Sequence, residues 1–362
     1  MKWGRKGSLR LTRYKFVMRA SIVIVNYNYA RFLRQAIESA LAQTYEDTEV
    51  VVIDDGSTDD SYGIIRSYGN RIIAVCKENA GQSSCYSRGL TVSSGDVVLY
   101  LDADDFLHPN CLSEVIDSWK DGCVKAHFYL NLVDENGASL HAVVPSGRLA
   151  TETDPLKMMR LFGAYCSPPA SGNIYSRDFL AKVLPMENES RLCRGGADAV
   201  TIFSAPYYGT IVAVPRTLGF YRRHAEASGG VVSRFQLAVS LEKLKQEHEK
   251  DLLRDRAWRL AARQTETPKL LEPSRLKRRM CYFRLAGTGL DPADSRVNLL
   301  VRGVLSSLRW DAYSWTQKIA IVGWFLIAAI LPLEMVETVI RPALGITNRT
   351  PGLRKFLEAS RH

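Results

Sequence analysis

Residues 96–105 read DVVLYLDADD, and how this stretch is taken decides the fold. Val97 to Leu101 form an uninterrupted apolar run, the pattern of a strand buried on both faces. Asp102, Asp104 and Asp105 then fall within four positions. Carboxylates so close repel one another, more strongly where the strand end is partly buried. A divalent cation would make the arrangement tolerable, because Mn²⁺ and Mg²⁺ take carboxylate and phosphate oxygens. Asp-x-Asp by itself is also the composition of a solvated turn. A calcium loop fits poorly, since DADDFLHPN lacks the Gly and the terminal Glu of an EF-hand.

Upstream of this strand the pattern alternates strand and helix. SIVIVNYN (21–28) is an apolar strand run, and ARFLRQAIESALAQ (30–43) places Phe32, Leu33, Ala36, Ile37, Ala40 and Leu41 at helical spacing. EVVVIDDGSTDD (49–60) is a strand ending in acids and a Gly turn, with Ser57 or Thr58 placed to cap a helix. RIIAVCKE (71–78) is a third strand and GQSSCYSRGLTVS (81–93) a helix. Strands separated by helices imply crossovers and a parallel sheet. In such sheets ligands collect beyond the carboxyl ends of the strands. Asn26, Asn28, Asp54, Asp55, Asp102 and Asp104 all stand at such ends.

Downstream the signals are mixed. HFYLNLVDENG (127–137) reads as strand and turn, SGNIYSRDFLAKVL (171–184) as strand then helix, and TIVAVPRTLGFYRRH (210–224) as two strands broken by Pro215. Beyond His224, Leu237, Leu241, Leu244 and Leu252 fit a helix. The basic cluster Arg275 to Arg279 and the uncharged run Ile319–Leu333 follow.

The chain has 362 residues, 46% hydrophobic and 24% charged, as suits a folded protein of one or two domains. Seven scattered cysteines, with no C-x-x-C pair, fit a reduced cytosolic setting better than a disulfide scaffold or a zinc site. The net charge of +10 is uneven: residues 221–362 hold 25 Lys and Arg against 14 Asp and Glu. Residues 1–20 carry seven basic side chains and no acid. They read as a disordered arm, with Met18 as an alternative start and no apolar stretch long enough for a secretory signal. No G-x-x-x-x-G-K-[ST] is present and no G-x-G-x-x-G follows a strand, against P-loop and dinucleotide readings.

SIVIVNYNYARFLRQAIESALAQTY, VVVIDDGSTDDS, KENAGQSS…RGL and GDVVLYLDADDFLHP occur in order. Together they resemble the GT-A-fold inverting glycosyltransferases of family 2, the large group that builds bacterial surface polysaccharides. The resemblance covers roughly residues 21–225. It implies an α/β, Rossmann-like sheet, mostly parallel and flanked by helices, with a helical basic extension behind it. Nucleotide-sugar contacts are implied at Val25, Asn26, Tyr27, Asp54, Asp55, Gly81, Asp102 and Arg222. Mn²⁺ or Mg²⁺ would be held by Asp104 and Asp102, with help from His224. Asp198, in RGGADAVTIF, stands where members carry the base, although Ala197 replaces the usual Glu; Asp105 is the next carboxylate. Ser87 departs from the Asn common at its position. Arg222 and His224 share a face if extended, so both could point at a diphosphate. Trp119, Tyr207 and Tyr208 could stack on sugar, core packing being their ordinary role.

The expected organisation is a basic arm at 1–20, a GT-A domain at 21–230 and a helical region at 231–362. The segment 319–333 is expected to associate with membrane. At 15 residues it is short of the ~20 needed to span. Trp310, Trp315 and Trp324, with the 275–279 cluster, point to a peripheral or monotopic position on the cytoplasmic, inner face of the cell membrane. The expected activity is transfer of a sugar from a UDP- or dTDP-sugar to a glycan or polyprenyl-linked acceptor. Rival readings are a metal-dependent nucleotidyltransferase, a nucleic-acid-binding protein using the basic C-terminal third, and an inactive scaffold. The second lacks a helix-turn-helix, zinc-finger or RNP-like signature.

Overall fold

The computed structural model describes residues 18–149, 154–184, 196–224, 237–332 and residue 335. Most of the basic arm and the end of the 319–333 run therefore lie outside the described residues. Strand β1 (Ala20–Asn26) lies between β2 (Thr48–Asp54) and β4 (Val97–Asp102), parallel to both, and β3 (Ile73–Cys76) extends the parallel set beyond β2. Helices α1 (Ala30–Leu41), α2 (Ser61–Ser67) and α3 (Gln82–Val92) connect them. The α1 spacing does what it promised: Phe32, Leu33, Ala36, Ile37 and Ala40 bury one face. Successive β1 residues serve opposite layers, Ile22 and Ile24 packing with α1 and Val23 with the other side.

Past β4 the sheet turns mixed. Strands β5 (Phe106–Leu107), β6 (Cys123–Val133), β7 (Ser139–Val144), β8 (Asn173–Ser176) and β9 (Thr210–Arg222) complete a nine-stranded sheet ordered β3-β2-β1-β4-β8-β6-β9-β5, with β7 on β6. Helices α4 (Cys111–Asp117), α5 (Pro155–Phe162), α6 (Arg177–Val183) and α7 (Ala197–Ser204) cover it. Pro215 does not break β9 in two. The register steps from Phe128↔Val214 to Tyr129↔Thr217, so exposed Pro215 and Arg216 form a bulge that spares the ladder a missing donor. The strand then runs on to deliver Arg222.

Helices α8 (Leu237–Ala261), α9 (Pro273–Ala286), α10 (Arg296–Arg309) and α11 (Trp315–Ile330) form the C-terminal region. Trp258, Leu276, Ile321 and Trp324 belong to the same core as Val23, Val51 and Tyr100 of the sheet. Three expectations are corrected here. Trp310 and Trp324 are buried, leaving only Trp315 of the three at the surface. In the basic cluster, Arg275 makes a forked pair with Asp255 (2.6 and 2.9 Å) and Arg279 is held by Asp294 (3.0 Å), so both are buried and spent. Nor is the apolar run a free segment, since Ala320, Ile321, Phe325, Ala328 and Ala329 pack in the core. Among the described residues no helix is long and apolar enough to cross a membrane.

Lys125 on β6 is fully buried, and among the described residues no carboxylate pairs with it. Its Nζ donates to the hydroxyls of Tyr165 (2.9 Å) and Ser167 (2.8 Å) and lies 3.3 Å from His127 Nδ1. Burial holds its amine well below the ordinary lysine range, with Cys166 and Cys123 opposing it. Between this lowered folded value and the unfolded lysine value of ~10.4 the unfolded chain therefore binds more protons than the folded chain, and stability rises with pH over that range. Lys125→Met should remove up to about 1.4 kcal/mol per pH unit of this slope. Urea unfolding across neutral to alkaline pH measures it, and parallel profiles for the two proteins would mean that Lys125 is charged in the fold.

Candidate active site

The carboxyl ends of β1, β2 and β4 meet in register, Asn26 beside Asp54 and Val25 beside Asp102. At the β2 end the acids are turned inward. Asn26 Nδ2 donates to Asp54 Oδ1 (2.6 Å), and Ser57 donates to the same carboxylate through its hydroxyl (2.5 Å) and its N–H (3.0 Å). Ser57 is thus a clasp between β1 and β2 rather than a helix cap, and α2 begins after Asp60. Asp55 accepts from Lys77 and from the N–H groups of Ala80 (3.0 Å) and Gly81 (2.8 Å). Burial alone would raise its carboxyl, but Lys77 and the two amides hold it below the usual carboxylate range. Gly81 presents its N–H from φ 89°, a conformation that side chains resist. Asp54 and Asp55 therefore shape this edge from within, both buried. Tyr27 is half exposed above them, and Asn26 Oδ1 is buried with no hydrogen-bond partner among the described residues.

At the β4 end the picture is reversed. Asp102 and Asp104 remain partly exposed, and among the described residues no lysine or arginine pairs with either carboxylate. Burial, then the charges of Asp104 and Asp198, push Asp102 up to about 8, with the Gln82 amide opposing them. His224 Nε2 lies 2.8 Å from Asp104 Oδ2, its ring packed beside Tyr29 and Phe32.

Arg222 does not reach out beside His224 as its spacing suggested. Its guanidinium donates to the carbonyls of Asp104 (2.8 Å), Asp134 (3.2 Å) and Glu135 (2.7 Å) and to Gln35 Oε1 (2.7 Å). It stacks on Phe32 at 4.5 Å. Asp105 is likewise spent, accepting from Ser171 Oγ (2.6 Å) and the Arg222 N–H (2.9 Å). These two residues hold the Asp-x-Asp loop in shape, and Asp105 is no candidate base.

Asp198 sits in the first turn of α7, where its Oδ1 accepts from the Ala199 N–H (2.8 Å). Burial raises its carboxyl above the ordinary aspartate value, with Ala199 and Arg254 of α8 tempering the rise. One residue went unread in the sequence. Gln82, at the start of α3, accepts from the N–H groups of Gly196 (3.1 Å) and Ala197 (3.2 Å) while its amide supports Asp102. It joins the β4 carboxylates to the helix that carries Asp198. Tyr86, one turn further along α3, is buried against Tyr100 with its hydroxyl unpartnered among the described residues. Trp119, Tyr207 and Tyr208 pack internally, Tyr207 stacking on Trp258 at 6.0 Å and Tyr208 donating to the Ala261 carbonyl (2.7 Å).

Two uncompensated carboxylates with an imidazole beside them are a donor set that suits a hard divalent cation. Among the described residues no group of three His, Cys, Asp or Glu side chains is placed to hold a metal ion, so as they stand at most two of these side chains could share a cation.

Residues 21–183 match the model of the family described as Glycosyl transferase family 2. This stretch is similar to family 2 glycosyltransferase domains. The chain is 34% identical over 212 residues to an uncharacterized glycosyltransferase of Nostoc sp., covering 57% of this chain and 65% of the relative. It is 36% identical over 135 residues to an uncharacterized glycosyltransferase of Rickettsia prowazekii, covering 36% and 42%. It thus spans less than two thirds of either relative. The crystal structure of S. aureus TarS 1-349 in complex with UDP is similar over 95% of this chain and 91% of that one, at 15% identity and a TM-score of 0.47. The matched residues take in strands β2 to β8 and all of β1 but Ala20, and β9 lies beyond them.

Proposed function

We propose that the protein is an inverting glycosyltransferase. It moves a sugar from a UDP- or dTDP-sugar to a glycan or polyprenyl-linked acceptor, in surface polysaccharide synthesis on the cytoplasmic face of the cell membrane. The observation that carries this reading is the convergence of Asp102, Asp104, His224 and Asp198 at one end of the sheet of a domain similar to family 2. The acceptor hydroxyl would give its proton to Asp198 while its oxygen bonds to the anomeric carbon from the side opposite the diphosphate. The bond from that carbon to the diphosphate oxygen breaks, and the nucleoside diphosphate leaves. A carboxylate raised by burial is the better base near neutral pH. Mn²⁺ or Mg²⁺ would be held chiefly by Asp104, with Asp102 or His224 beside it, and would neutralise the charge on the departing diphosphate. The Asn26 to Tyr27 edge, with Gly81 beneath it, is the side open to the nucleoside.

Gln82 is a positioning residue in this scheme, because it holds the metal-side acid and the base helix at once. Gln82→Ala is expected to lower kcat about ten- to a hundredfold with little change in donor KM, since misplacement rather than lost binding is the defect. Gln82→Glu, which sets a further carboxylate against Asp102, should not rescue it. Wild-type kcat in Gln82→Ala would leave the two halves of the site uncoupled.

The reading is tested by incubating the full chain with UDP- and dTDP-sugars and a lipid-extract acceptor. Nucleoside diphosphate should be released and the product should have the opposite anomeric configuration. Retained configuration would remove Asp198 as base, and release of pyrophosphate would favour a nucleotidyltransferase.

A further inference from the structure

Helices α10 and α11 are packed against each other, Gly303 meeting the ring of Phe325. Both leave an apolar row outside. On α10 the row is Val297, Val301, Leu305 and Leu308, and on α11 it is Trp315, Ile319, Leu326 and Ile330. Spacings of three, four and seven residues keep each row on a single stripe. Val297, Trp315, Ile319 and Ile330 are each about 70% exposed, which marks a surface left without cover rather than core residues grazing solvent. Lys318 ties the stripes together, its Nζ donating to the Leu308 carbonyl (2.9 Å) and lying 5.2 Å from the Trp315 ring.

The charge on these helices identifies the partner. Residues 296–309 and 315–330 contain Arg296, Arg302, Arg309 and Lys318 and no Asp or Glu. A second copy of the chain is disfavoured, because an isologous interface would set these cations against themselves. Residues 336–362 are no better matched, holding five basic and two acidic residues. We propose that the paired α10–α11 face docks in the plane of an anionic lipid surface, the apolar stripes among the acyl chains and the cations at the phosphates. This rests on the glycosyltransferase reading only for its use, which is to bring the site to a lipid-linked acceptor. The face differs from the 319–333 run read in the sequence, whose other half is core.

Density-gradient flotation of the full chain tests it without donor or acceptor, so failure here leaves the transferase reading untouched. The protein should float with phosphatidylcholine vesicles containing phosphatidylglycerol, less as salt rises, and little with phosphatidylcholine alone. Val301→Glu with Ile319→Glu should weaken flotation by about a hundredfold, each change removing an apolar anchor, while melting and donor binding stay as in the wild type. Brominated phosphatidylglycerol should quench the fluorescence of the wild type more than that of Trp315→Phe, a comparison that needs no destabilising change. Absence of flotation, undiminished flotation of the double variant, or equal quenching would each overturn the proposal. So would a dimer that the double variant splits in a protein indifferent to vesicles.

Discussion

Asp198→Asn is expected to lower transfer by about a hundred- to ten-thousandfold, the usual cost of losing a general base. The substitution keeps size and shape, and the amide oxygen can still accept from the Ala199 N–H that fixes the side chain. What it removes is the ability to take a proton. Donor affinity should therefore be unchanged, while single-turnover transfer collapses. A loss below about tenfold with normal donor binding would place the base elsewhere. Asp105 could not inherit the role, since Ser171 and the Arg222 N–H occupy its oxygens.

The second large effect belongs to Asp104→Ala. It removes the carboxylate shared with His224 and halves the uncompensated charge at the strand end. If that acid holds the cation, transition-state stabilisation of several kcal/mol disappears, on the order of a thousandfold in rate. EDTA should produce a comparable loss in the wild type, reversed by Mn²⁺ or Mg²⁺. The melting temperature should not fall, because crowding with Asp102 is relieved and Arg222 holds only the backbone carbonyl of residue 104. Full activity in the variant, or in chelated enzyme, would sink the metal assignment.

The parallel half of the sheet was legible because each of its elements carries its own period. β1 and β4 are apolar runs ending in polar residues, and α1 repeats every three to four positions. Asp102 and Asp104 stood out for the same local reason. What escaped reading was decided by partners far along the chain. Two-residue spacing put Arg222 and His224 on one face, but the carbonyls of Asp134 and Glu135 that engage Arg222 lie in the β6–β7 turn. Gln82 reads as an ordinary first-turn residue, and its partners Gly196 and Ala197 lie over a hundred positions away. Pro215 signalled a break because a bulge cannot be told from a strand end without its neighbour. In Ile319–Leu333 every residue is uncharged, so no polar face said which edge turns inward. Asp198 was found through resemblance, its residue type alone fitting an ordinary first-turn acid.

The C-terminal helices share one core with the sheet, Trp258 and Trp324 packing in the cluster that includes Val23 and Tyr100. The chain is therefore a poor subject for cut-and-paste engineering. A splice near residue 230, meant to graft a relative's tail and with it a new acceptor preference, would sever a continuous interior. Chimeras of that kind should misfold or precipitate, and the tail can diversify only in step with the sheet face beneath it. Useful swaps would have to be surface grafts, exchanging the outward stripes of α10 and α11 while leaving their inward residues as they are.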